Sequence, residues 1–220
     1  MENRRCIACA VAIAAVLICV VPALAAPSFY GYTGLVRVPT AEALDEDEYN
    51  LAAFSLNFEE GSDSSVYTGN LGLTEGLELG FTRFRPDEGE NETFVNGKYL
   101  FRAETREQPA IAAGVIDFTD ENDTTVYVVL TKDLLGRYGH RMRPLDAAHV
   151  HIGVGGGQFD GVFGAISAVI SRRLLLSIEH DSNEVNFGAR LALSDELRAH
   201  FGALDGFDDI GLGLSFNKSL

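Results

Sequence analysis

From about residue 49 onward the chain alternates between apolar and polar positions. Val185, Phe187, Ala189, Leu191 and Leu193 fall on one side of an extended stretch, with Asn186, Gly188, Arg190 and Ala192 on the other. Ile210, Leu212, Leu214 and Phe216 oppose Gly211, Gly213, Ser215 and Asn217 in the same way. A repeat of two is the period of a β-strand, whose successive side chains point to opposite faces of the sheet. The pattern predicts twelve strands, near 49–58, 65–73, 77–84, 94–102, 110–118, 124–131, 148–154, 161–170, 174–180, 185–193, 197–203 and 210–217. Most approach the ~9–11 residues that a tilted strand needs to cross a bilayer.

Several strands separate their faces cleanly. Leu77, Leu79 and Phe81 oppose Glu78, Gly80 and Thr82; Val95, Gly97, Tyr99 and Phe101 oppose Asn96, Lys98 and Arg102; Val150, Ile152 and Val154 oppose His149 and His151. Ala52, Phe54, Leu56 and Phe58 oppose Ala53, Ser55 and Asn57. The strands at 110–118, 124–131 and 161–170 are apolar on both faces, which leaves their facing open. The fold class expected is all-β: an antiparallel up-and-down transmembrane β-barrel of about twelve strands. A periplasmic β-sandwich binding module is the alternative, since it alternates too.

The connections sort by parity. Counted from the first strand, the odd ones (59–64, 85–93, 119–123, 155–160, 181–184, 205–209) carry a net charge of −15, whereas the even ones (74–76, 103–109, 132–147, 171–173, 194–196) sum to zero. In an up-and-down barrel alternate connections share a rim, and the longer loops of outer-membrane barrels face outward. The acidic set is therefore expected outside. Its clusters (Asp87, Glu88, Glu90; Asp120, Glu121, Asp123; Asp208, Asp209) are oxygen-rich enough for calcium but lack EF-hand spacing, and solvated loops explain them. Segment 132–147 is long and basic and is read as a short helix or an extra hairpin.

Ahead of the strands, Arg4 and Arg5 precede an apolar run from Cys6 that ends at Ala23-Leu24-Ala25. This is the pattern of a cleaved secretory signal over residues 1–25, followed by a lead or small plug segment at 26–47 and a barrel over 48–220. All three cysteines lie in the signal, so disulfides, thiolate metal sites and a cysteine nucleophile are excluded from the remainder. The net charge of −15 argues against nucleic acid as a partner. Outer-membrane lipid is the expected partner, and the bacterial outer membrane the expected address. With no Trp in the chain, an interfacial girdle falls to residues such as Tyr67, Tyr99, Tyr127, Phe54 and Phe58.

The polar faces supply the candidate lumen residues: Glu78, Asn96, Lys98, Arg102, His149, His151, Glu179, Asn186, Arg190, Arg198 and His200. Charges in a small barrel compensate one another, so ion pairing is the expected reading, with a narrow polar pathway or contact with a sugar chain as the alternative, and at most a narrow pore is expected. His149 and His151 stand two apart on one face and could start a metal site with Glu179 or His200, but two histidines are ordinary lumen residues, so no metal or other cofactor is expected. Ser177 with His151 or His200 and Glu179 could be assembled into a lipid- or glycan-modifying hydrolase, but no spacing supports it.

The segment Ser28-Phe29-Tyr30-Gly31-Tyr32-Thr33-Gly34-Leu35-Val36-Arg37-Val38-Pro39-Thr40-Ala41 resembles the G-x-T-G-L opening of the YjbH-type outer-membrane proteins. Looser matches follow at Leu77–Gly80, Val95–Tyr99, Pro109–Val115, Val126–Val129, Gly161–Gly164, Glu179–Asp181 and Val185–Gly188. The resemblance implies a non-enzymatic structural or accessory component of exopolysaccharide production or secretion, with polysaccharide and export machinery as partners. Within the motif, Gly31 and Gly34 permit left-handed backbone or close approach, Pro39 ends an extended stretch, and Thr40-Ala41-Glu42-Ala43-Leu44 reads as a capped helical turn.

Overall fold

The computed structural model describes residues 25–121, 123–135 and 144–219. Residues 1–24 of the proposed signal and residues 136–143 of the basic connection at 132–147, where a short helix or extra hairpin is expected, lie outside the described residues. The described residues form a closed barrel of twelve antiparallel strands, each bonded to its sequence neighbour. They are β1 (Glu48–Asn57), β2 (Ser64–Thr74), β3 (Leu77–Pro86), β4 (Glu92–Arg102), β5 (Ala110–Ile116), β6 (Thr125–Asp133), β7 (Leu145–Gly155), β8 (Gly161–Ile170), β9 (Leu174–His180), β10 (Val185–Ala192), β11 (Leu197–Leu204) and β12 (Asp209–Ser219). Closure is made by β1 on β12, in register from Glu48 opposite Ser219 to Asn57 opposite Ile210. Pairing every edge leaves no unsatisfied ladder, the condition for strands to cross a hydrocarbon layer. Among the described residues no helix is long and apolar enough to cross a membrane.

Closure puts the odd connections on one rim, the acidic rim. The even connections, the start of β1 and the end of β12 share the other, here called the terminal rim. Lys132 and Asp133, expected in a connection, extend β6, and Lys132 pairs with Glu104 at 2.9 Å.

The exterior is an apolar belt. Phe81, Tyr99, Val126, Ile152, Val162, Ile166, Ile178, Leu212 and Leu214 are all exposed. For the strands with two apolar faces, the inward set is Ala112 on β5, Tyr127 and Val129 on β6, and Phe163, Ala165 and Val169 on β8. The girdle reading is corrected at two positions: Tyr67 and Tyr99 are exposed, but Phe54 and Tyr127 are buried inside the barrel, as is Leu56. The reason is that the lumen is packed, so large apolar side chains have an inward place to go as well as an outward one.

What packs it is the segment before β1. This segment, residues 25–47, is termed the finger; it is buried or half-buried up to Leu44, including Phe29, Tyr32, Leu35, Val36, Val38, Ala41 and Leu44, and exposed at Asp45, Glu46 and Asp47. The finger enters at the terminal rim, where Asn217 of β12 donates to the Ala25 carbonyl (2.9 Å). It reaches the acidic rim, where Arg37 pairs with Asp181 (3.0 Å). It then returns, so that the Asp47 N–H bonds to the Gly72 carbonyl near the terminal rim. Two short bridges, Pro27 with Thr33 and Gly34 with Pro39, hold it folded. The helical turn expected at Thr40–Leu44 is absent. Its backbone groups are taken by the wall instead: Ala41 N–H by Thr131, Leu44 N–H by Glu78, and the Glu42 carbonyl by Lys98.

Candidate functional site

Of the eleven candidate lumen residues, ten are buried on the inner wall: Glu78, Asn96, Lys98, His149, His151, Glu179, Asn186, Arg190, Arg198 and His200. Arg102 is half-buried at the terminal rim, where its Nε donates to the Pro109 carbonyl (3.3 Å). The ten do not converge on one empty point. They are spread around the wall, and four of them, Glu78, Lys98, Glu179 and Arg190, spend their hydrogen bonds on the finger's backbone.

Glu179 grips the tip. Its carboxylate accepts the N–H groups of Val36 (2.7 Å), Arg37 (3.0 Å) and Val38 (2.9 Å), plus the Ser177 hydroxyl (2.9 Å). Three successive N–H groups turned inward form a nest, a natural cradle for an anionic oxygen. Across the lumen, Glu78 accepts the N–H and hydroxyl of Thr33 (3.3 and 2.6 Å) and the N–H of Leu44 (3.0 Å), tying both limbs together. The cations take the carbonyls: Lys98 donates to Thr33 and Glu42, and Arg190 to Pro27 and Gly34. The ion pairs expected among these charges are replaced by charge-to-backbone bonds, which satisfy buried carbonyls and N–H groups that water cannot reach.

The histidines act as relays. Thr131 Oγ accepts the Ala41 N–H and shares a hydrogen bond with His151 Nδ1 (2.9 Å), whose Nε2 shares another with the Ser167 hydroxyl (3.1 Å). His200 Nδ1 accepts from Arg190 Nε (3.3 Å), and its Nε2–H donates to Ser215 (2.7 Å). Both rings are used on both nitrogens, and no group of three or more His, Asp or Glu among the described residues is arranged to hold a metal. Ser177 bonds to Glu179 and not to a histidine, and neither His–Ser pair has a carboxylate behind it, so the hydrolase constellation is not assembled.

At the acidic rim, Asn186 donates to Asp181 (3.0 Å) and accepts the Asp205 N–H (3.1 Å), while Asn96 accepts the Asp117 N–H (3.1 Å) and so braces a loop. At the terminal rim Arg198 donates to the carbonyls of Glu196 and Asp195. Residues outside the candidate set also hold the finger. Thr68 and Asn70 donate to the Gly31 carbonyl, Thr82 to the Tyr30 carbonyl, and Arg37 stands over the Tyr30 ring (4.8 Å). Strand parity was the available signal for Thr68, Asn70 and Thr82. Gly31 sits at φ +98°, and a Cβ there would meet Thr82 Oγ1 at 1.7 Å, so this glycine is demanded by both conformation and space.

Burial pushes the Asp181 carboxyl up, but the Arg37 guanidinium and the hydrogen bonds from Glu184, Asn186 and Asn183 outweigh it and hold it below the ordinary aspartate value of 3.8. A depressed carboxyl contributes stability above its unfolded value and loses it as pH falls through the folded one. The difference in thermal midpoint between wild type and Asp181→Asn is therefore expected to be constant from pH 7 to 5 and to shrink only below about pH 4. A difference that disappears already at pH 6 would exclude this pair as its source.

A closed barrel with an apolar belt and a hydrogen-bonded interior defines the class: an outer-membrane β-barrel. Among solved structures, the chain is similar to the KdgM porin (TM-score 0.54, 9% identity, 76% of this chain and 98% of that one). It is also similar to the NanC porin (0.51, 11%, 76% and 98%). A second KdgM structure, with disordered oligogalacturonate, matches at 0.53 and 9% identity over 76% of this chain and 98% of that one. No protein-family model matches the chain. No curated protein matches its sequence. The resemblance to the YjbH-type family is corrected by these findings: the similarity that exists is to small porins. The strand segments that suggested it are alternating barrel text, and the opening motif is accounted for by the turns and packing of the finger.

Proposed function

We propose that this protein is a sealed outer-membrane barrel without enzymatic activity, serving a structural or accessory role at the cell surface and not as a conduit. The observation that carries this reading is the finger: it fills the lumen with apolar side chains and bonds its backbone to the wall around the barrel. Two apolar clusters, one around Tyr32, Tyr127, Phe159 and Phe163 and one around Phe29, Phe54, Leu56 and Val66, cross from finger to wall. A water-filled passage has a polar interior; this interior is filled by apolar side chains of finger and wall, with the finger's backbone bonded to Glu78, Lys98, Glu179 and Arg190.

An export-machinery partner loses its support with the family resemblance. A saccharide partner keeps some, because a barrel of this architecture was solved with an oligogalacturonate. The place for such contact is the acidic rim, expected to face outward, and its carboxylates favour an uncharged glycan over an acidic one. The test is passage. In planar bilayers the intact protein is expected to show no stable conductance steps, and proteoliposomes are expected to swell in monosaccharide or oligosaccharide solutions no faster than protein-free vesicles. Reproducible steps or sugar-driven swelling would overturn the sealed reading.

A further inference from the structure

The belt is not uniformly convex. Across β7–β11 it holds a concavity of about 840 Å³. Its floor is made where outward positions carry small side chains: Gly164 and Ala168 on β8, and Ala189 on β10. Ile166, Ile178, Phe187 and Phe201 line it with larger side chains. The register explains the shape. Ala168 lies opposite Leu176, which lies opposite Ala189, while one row along Ile166, Ile178 and Phe187 stand side by side. The concavity therefore has two shallow parts, the Ala168–Ala189 row and the Gly164 row, on either side of the raised Ile166–Ile178–Phe187 row, and it extends to Phe207, which stacks on Phe187 (4.6 Å between centroids). From Ala168 to Gly164 alone is about 13 Å at the rise of a strand. Its lining faces the membrane: Ile166 and Ile178 are 60% and 57% exposed.

The two ends of the groove differ in charge. Beyond Phe207 lies the acidic rim, with Asp205, Asp208 and Asp209. At the other end the β8–β9 turn is Ser171-Arg172-Arg173, closed by an Arg173 N–H bond to the Ile170 carbonyl (3.1 Å). Ser171 and Arg172 both take left-handed backbone (φ 50° and 57°), where Asn and Gly are usual. Asp146 accepts the Arg172 backbone N–H (2.7 Å), but neither guanidinium of this turn has an ion pair among the described residues. The neighbouring even turn contributes Asp195 and Glu196, the latter facing Lys218 at 3.5 Å.

We propose that this concavity is a phospholipid site, with one acyl chain lying in the dip at Ala168 and passing beside Ile166 toward Gly164, and an anionic headgroup held at Arg172 and Arg173. An apolar trough on the bilayer face admits a hydrocarbon chain and excludes water-soluble ligands. The charge at its ends fixes the polarity, because a phosphate is attracted to the arginine turn and repelled by the aspartates at the opposite rim.

Native mass spectrometry of the purified, detergent-solubilised protein tests this with phosphatidylglycerol and phosphatidylcholine of equal chain length. One phosphatidylglycerol is expected to be retained, with a preference on the order of tenfold over phosphatidylcholine, since each basic group near a phosphate favours it. The double change Arg172→Gln, Arg173→Gln is expected to abolish the preference while leaving chain binding. Ala168→Phe or Ala189→Phe, which fills the floor from outside, is expected to remove the bound lipid altogether. Two such variants guard against one failing to fold, which heat-modifiable gel migration reports. Equal retention of both lipids by the wild type, or a preference that survives the arginine changes, would overturn the proposal.

Discussion

Replacing Glu179 with alanine is expected to cost about 3–5 kcal/mol of stability, the largest effect of any single polar substitution in the lumen. The change leaves the N–H groups of Val36, Arg37 and Val38 buried without an acceptor, and removes the partner of Ser177 as well. Each unsatisfied buried donor costs ~1–3 kcal/mol, and partial relaxation of the tip keeps the total below the simple sum. Glu179→Gln keeps one acceptor oxygen and places an NH2 group against the nest, so its loss is expected to be smaller but clear. Denaturant titration followed by heat-modifiable migration reads both. A Glu179→Ala barrel within about 1 kcal/mol of wild type would mean that these bonds are replaced by water, as at an exposed site.

Deleting residues 28–44 is expected to prevent recovery of the folded barrel. Seven apolar side chains of the finger are buried: Phe29, Tyr32, Leu35, Val36, Val38, Ala41 and Leu44. At ~1.5–3 kcal/mol for each fully buried large side chain, their loss is on the order of 10 kcal/mol, comparable to the whole stability of an ordinary domain. The deletion also strips Glu78, Lys98, Glu179 and Arg190 of their finger partners. Refolding into detergent, followed by gel migration and circular dichroism, decides the matter. A deleted barrel that folds and conducts would show the finger to be a removable stopper, and would favour a gated passage over the sealed barrel.

How far the sequence foretold this can be judged strand by strand. Each of the twelve strands lies within a few residues of its expected place, because period-two alternation bounded by Gly, Asp and Ser turns is a local signal. The expected bounds of β8 (161–170) and β9 (174–180) coincide with the observed Gly161–Ile170 and Leu174–His180. Parity likewise points Glu78, Lys98 and Glu179 to a common side of the sheet. Parity cannot tell which side is inside when both are apolar. Phe54 and Tyr127 read as membrane anchors until the finger supplies an apolar interior for them. The finger has no period at all. Its path is set by wall residues distant in sequence, such as Glu179, which lies 143 positions from the Val36 it binds. A helical turn at Thr40–Leu44 is a sound local reading that loses to hydrogen bonds offered by Thr131, Glu78 and Lys98.

Both limbs of the finger meet the same rim, and its second limb runs directly into β1. It can therefore be laid down as a loop and never needs a free end threaded through a finished ring. Its partners lie on β2, β3, β4, β6, β9, β10 and β12, so it touches walls that are far apart along the chain. The finger is thus a common centre for walls distant along the chain, and it is tied to the β1–β12 seam itself through Asn217.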